Sequence, residues 1–141
     1  MVNNGKVTLR KVNPNISAIE IFGEVTGFAE TGLIDALDTL KDQDVKKIIL
    51  DFTNMEYINS KGIGLLITIL IRAHREGQKI VAVGLKPHFT RIFELTRLDE
   101  VMPNYPSELE ALSFLEKQSQ LSEKKDDILQ TYSKNFLYKQ E

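Results

Sequence analysis

The chain contains no cysteine. Disulfide scaffolds, thiolate zinc sites and cysteine nucleophiles are therefore excluded from the start. Histidine is almost as scarce, with only His74 and His88 present, which leaves little for a metal cage or a serine triad. Charge of one sign is lacking too: 18 basic residues stand against 20 acidic ones, a formal net charge of −2. That balance argues against a nucleic-acid groove or a polybasic membrane patch, each of which needs a concentrated positive face. Long apolar runs are missing as well. The greasiest stretch, Ile63 to Ile71, is about half of the ~20 residues that a membrane span requires, and Met1 to Arg10 holds no apolar run resembling a signal peptide. The expectation is a soluble, cytoplasmic protein with no cofactor and no metal. Its 141 residues, 42% of them apolar, suffice to bury a core without a covalent staple.

The patterning places the elements. Val7 to Val12 alternates, Ile16 to Phe22 is rich in β-branched residues, and Asn13-Pro14-Asn15 between them supplies turn chemistry, so the chain opens with a β-hairpin whose second strand stops at Gly23. Leu33, Ile34, Leu37 and Leu40 predict an amphipathic helix over about 29–41. Lys47 to Phe52 reads as a buried strand, followed by a loop and a second helix from Ser60 to Arg75, stopped by Gly77. Lys79 to Gly84 is another buried strand, and Pro87 opens a helix to about Thr96. A short strand near Glu100 to Met102 follows, and Ser107 with Glu110 has capping-box spacing for a helix through about Lys117. Alternation of strands and helices after a hairpin predicts an α/β fold with a mixed, mostly parallel sheet and about four helices. Residues 118–141 read as an appended helical extension, with Ile128, Leu129, Tyr132 and Phe136 on one face; so short a helix needs the domain or another chain to pack on. The domain boundaries expected are thus 1–117 and 118–141.

The residues that could carry chemistry lie between Asp51 and Leu66. Ser60 stands at the entrance to the second helix, followed by Lys61 and Gly62. Either Asn59 or Ser60 can serve as the N-cap, satisfying the first-turn amides. Alternatively Ser60 is a regulated hydroxyl, since added phosphate would face the positive end of the helix dipole. On that helix Ile63, Leu66, Ile67 and Leu70 share one face at 100° per residue, the expected core face, with His74 near it. Leu65 and Ile69 point elsewhere: either another helix covers them or they form an apolar docking patch just beyond Ser60. Gly62-x-Gly64 falls short of a full phosphate-binding pattern. Asp51 ends a strand as a receiver's phosphoacceptor would, yet no acidic pair follows the earlier strand.

Asn59-Ser-Lys-Gly-Ile-Gly-Leu65 resembles the Asp-Ser-Ser/Thr-Gly-Leu-Gly signature of STAS domains, in particular of the bacterial anti-sigma factor antagonists. The flanks agree: Ile49-Leu-Asp-Phe52 and Met55-Glu-Tyr-Ile58 before the serine, Phe22-Gly-Glu-Val25 as the Gly-Glu turn, and Arg91 to Leu98 as the late helix, so the likeness covers about residues 7 to 115. The resemblance implies a partner-switching protein and not an enzyme. Its partner would be an anti-sigma factor that is also a histidine-kinase-like serine kinase, the acceptor would be Ser60, and a serine phosphatase would reverse the modification. Asn59, Lys61, Gly62, Leu65, Ile69 and Thr26 are the expected contact residues. At two positions the sequence departs from the family pattern, with Asn59 and Thr26 where the relatives carry aspartate. These neutral residues and the appended helix, a candidate for building a homodimer, point to the alternative of a non-phosphorylated STAS scaffold in a signalling or transport complex.

Overall fold

The computed structural model of the protein describes residues 6–117. Strands β1 (Lys6–Asn13) and β2 (Ile16–Val25) form the expected hairpin. The side-chain oxygen of Asn13 closes it by accepting from the amides of Asn15 and Ile16 at 2.8 and 2.9 Å. A 3-10 turn at Gly27–Ala29 leads into α1 (Glu30–Asp42), then come β3 (Lys47–Ile58), α2 (Ser60–Arg75), β4 (Lys79–Val83) and α3 (Pro87–Leu95). A second 3-10 turn at Leu98–Glu100, β5 (Asn104–Tyr105) and α4 (Glu108–Lys117) complete the described chain.

The five strands lie side by side in chain order, antiparallel between β1 and β2 and parallel thereafter. Because each crossover from β2 onward steps the same way, right-handed connections put α1, α2 and α3 on one face. The main core accordingly joins Leu33, Leu37 and Leu40 of α1, Leu66 and Leu70 of α2 and Phe89 and Phe93 of α3 to Ile19, Ile48 and Leu50 of the sheet. Phe52 and Phe93 meet edge to face, with ring centroids 5.6 Å apart. The central strands are buried on both faces, which is why they read as continuous apolar runs. On the opposite face α4 sets Ala111 and Leu115 on Ile16, Ala18, Ile49, Val81 and Val83.

Arg10 ties α4 to the sheet. Its guanidinium donates to both oxygens of Glu108 at 3.1 and 2.6 Å and to Glu20 at 2.9 Å, with Asp51 3.8 Å away. The hydrogen bond to Glu108 is the main reason its pKa rises above the ordinary arginine value.

Three expectations are corrected here. The second and third strands do not stop at Gly23 and Phe52: β2 passes through Gly23, whose φ of 77° makes it a bulge, and β3 continues to Ile58 as its partner. The exposed Thr53 and Asn54 break the apolar period without breaking the ladder. Glu100 to Met102 is not a strand; Val101 and Met102 fill the main core instead, and the edge strand is Asn104–Tyr105. His74 is exposed, not near the core. The expected extension at 118–141, with its proposed homodimer, lies outside the described residues.

Candidate functional site

The carboxyl ends of β2 and β3 use one device twice. After the paired residues Val25 and Ile58, both chains leave the sheet in extended conformation, at Thr26 (φ −129°, ψ −169°) and Asn59 (φ −109°, ψ −177°). Each side chain then caps the helical segment that follows. Thr26 Oγ1 accepts from the Phe28 amide at 3.2 Å, and Asn59 Oδ1 accepts from the Gly62 amide at 2.9 Å. The Asn59 amide donates to the Val25 carbonyl at 3.3 Å, joining the two caps. Of the two residues that could cap α2, then, Asn59 does so, and Ser60 is the first helical residue with its side chain exposed.

Gly62 explains how closely these parts fit. A Cβ there would lie 2.1 Å from the Val25 carbonyl oxygen and 2.8 Å from Ile58 Cγ1, distances that no side chain tolerates. The start of α2 is thus pressed against the end of β2. Lys61 is exposed and extends past Gly27, where a Cβ would stand 3.7 Å from Lys61 Cδ. Nearby, Lys86 donates from Nζ to the Met55 and Thr53 carbonyls at 3.0 and 3.4 Å, tying the segment before α3 to the third strand. Gly62 and Gly64 both lie within α2, so the pair forms no phosphate-cradling loop. Asp51 stands 3.8 Å from the Arg10 guanidinium and accepts from the Thr53 amide and hydroxyl at 3.0 and 2.6 Å.

Thr26, Asn59, Ser60, Lys61 and Gly62 therefore lie together where β2 and β3 end and α2 begins. Leu65 and Ile69 do not join them at the surface: both are buried in the main core, 7% and 0% exposed. Gly62, Leu66, Ile69 and Ala73 share one side of α2 at 100° per residue and all are buried, with Gly62 the point pressed against β2. Two exposed aromatic residues stand near the serine segment in the chain, Tyr57 within the matched flank but not among the expected contacts and Phe28 outside the motif altogether. Phe28, in the turn capped by Thr26, is 80% exposed, and Tyr57, paired with Glu24 near the end of β3, is 49% exposed. An aromatic residue set in a Thr-Gly turn, outside any apolar period, is the signal that could have revealed Phe28.

These features define a small mixed α/β domain that presents a serine-bearing helix start, two neutral caps and two exposed aromatic rings at the carboxyl edge of its sheet. The family model for the STAS domain matches residues 9–111, and the chain belongs to this family. Among individual relatives it is similar to the anti-sigma-B factor antagonist of Staphylococcus aureus, 23% identical over 84 residues, which is 60% of this chain and 78% of the relative. Its fold is similar to that of the anti-sigma factor antagonist SpoIIAA in the unphosphorylated form, with a TM-score of 0.62, 19% identity, and coverage of 80% of this chain and 100% of that one. The Bacillus cell fate determinant SpoIIAA in the phosphorylated form superposes similarly, with a TM-score of 0.60, 22% identity and coverage of 77% and 97%. Among the described residues no helix is long and apolar enough to cross a membrane.

Proposed function

We propose that the protein is an anti-sigma factor antagonist that binds an anti-sigma factor through the edge carrying Ser60 and is released when that serine is phosphorylated. The reading rests on one observation above all: Ser60 is an exposed residue at the first position of α2, a helix start that the Asn59–Val25 hydrogen bond joins to the turn carrying the exposed Phe28. It is supported by relatives named as antagonists of anti-sigma factors and by a fold neighbour solved in unphosphorylated and phosphorylated forms. Thr26, Asn59 and Lys61 lie on the same edge and would contact the partner, whereas the buried Gly62, Leu65 and Ile69 act only by packing. Phosphorylation would bring roughly −1.5 to −2 charges onto this edge, enough to weaken an interface by desolvation and repulsion without refolding the domain. The modifying enzyme would be the anti-sigma factor itself, acting as a histidine-kinase-like serine kinase, and a serine phosphatase would restore binding.

A second reading, the non-phosphorylated STAS scaffold, is favoured by Asn59 and Thr26, whose oxygens are already occupied by backbone amides and which carry no charge. Binding to the partner recovered by pull-down separates the two. Under the switch reading Ser60→Glu weakens binding at least about tenfold, or 1.4 kcal/mol, while Ser60→Ala binds as the unsubstituted chain does. Equal binding by all three, with no mass increase after incubation with the partner and ATP, leaves the scaffold.

A further inference from the structure

At the end of the sheet away from Ser60, a cavity of about 440 Å3, open to solvent on one side, lies between the β1–β2 hairpin and the C-terminal end of α1. Leu9, Leu40 and Val45 supply its apolar surface. Ser17 and Lys11, directly paired across the hairpin and therefore on the same face of it, supply a hydroxyl and an ammonium, and Gln43 adds an amide. Arg10 also borders the cavity, but its guanidinium is engaged with Glu20 and Glu108 on the α4 face.

Two observations point to a ligand. Ser17 is one of the few buried polar residues of the fold, 5% exposed, and among the described residues no group is hydrogen-bonded to its hydroxyl. Buried polar groups ordinarily have a partner, so a donor and acceptor left open in a cavity wall calls for something to meet it. The charge is also one-sided. No carboxylate lines the cavity, and Lys11 has no carboxylate partner among the described residues. The last carbonyls of α1, which would repel an anion, are already occupied: the Gln43, Asp44 and Val45 amides donate to Thr39, Lys41 and Leu40 at 3.1, 2.9 and 2.9 Å. Asp44, just beyond the helix, is 3.7 Å from Lys46. The size falls within the range of small-molecule sites, and the pattern of an apolar floor with a few convergent polar groups is theirs too.

We propose that this cavity binds a small amphipathic monocarboxylate, its alkyl part on Leu9, Leu40 and Val45 and its carboxylate held by Lys11 and Ser17. The proposal is independent of the role of Ser60. The test is an NMR titration of the full chain with octanoate, with octanol and octylammonium as matched probes. The amides of Ser17, Leu40 and Val45 should shift and saturate with octanoate at a Kd of about 1 mM or below. Octanol should bind at least about tenfold more weakly and octylammonium should leave these amides in place. Lys11→Met, at an exposed position that the fold does not need, should weaken octanoate about tenfold, and Ser17→Ala should weaken it while the chain keeps its melting temperature. Absence of saturation overturns the proposal and leaves Ser17 to water. Equal binding of octanol and octanoate, or unchanged affinity in Lys11→Met, overturns the carboxylate assignment.

Discussion

At Gly62 a hydrogen stands where any other residue would set a carbon 2.1 Å from the Val25 carbonyl oxygen. The blocking atom belongs to backbone, which cannot rotate aside, so even the smallest substitution has to move α2 or β2. Gly62→Ala is expected to cost about 1–3 kcal/mol, the usual range for overpacking, read as a lower urea midpoint with an unchanged slope. Asn59 offers a milder test of the same junction. Asn59→Ala removes the acceptor of the Gly62 amide and should cost about 1 kcal/mol, whereas Asn59→Asp keeps the cap, adds a charge that the helix start favours, and should hold or raise the midpoint. At this scale the sequence was informative about chemistry and poor about orientation. The cluster from Asn59 to Gly62 was legible because a motif lies in consecutive residues. Ile69 was misplaced because a regular apolar stripe marks where large residues recur. The closest approach of the helix is marked by a small one, Gly62.

Among the elements, α4 and β5 are the thinnest part of the fold. The strand has two residues, and Tyr105 within it lies against Phe114 of α4 with ring centroids 5.3 Å apart. Burial raises the Tyr105 phenol above its ordinary value of 10.0. The folded chain therefore holds that proton more tightly than the unfolded chain does. Its contribution is complete below pH 10 and is lost as pH climbs through the raised folded value. Stability should accordingly fall on the alkaline side, and Tyr105→Phe should flatten that fall; equally steep alkaline melting curves for both proteins would refute it. The sequence indicated α4 through Ser107, whose hydroxyl accepts from the Glu110 amide at 3.2 Å. It misplaced β5, because two residues are too few to show a period and the apolar pair Val101-Met102 next to them belongs to the core.

For the whole molecule, the two unequal faces of the sheet set the order of opening. Three helices bury the main core on one side, while a single helix covers the smaller cluster on the other, fastened by Arg10 to Glu108 and Glu20. Native-state hydrogen exchange should find Ile48, Ile49 and Leu50 of β3 among the slowest amides and those of α4 exchanging through a lower-energy opening; equal protection in both would contradict this layering. The α/β class followed from the alternation of strands and helices. The full length of β3 did not, since its last residues are held by register with β2 rather than by their own hydrophobicity. That register has a kinetic consequence. With Val25 bound to Asn59 and pressed on Gly62, the turn bearing Phe28 and the helix start bearing Ser60 cannot search independently for a partner. A protein meeting this edge would encounter a preassembled surface, so its association should proceed in one concentration-dependent phase, and substitutions there should act on residence time far more than on the rate of capture.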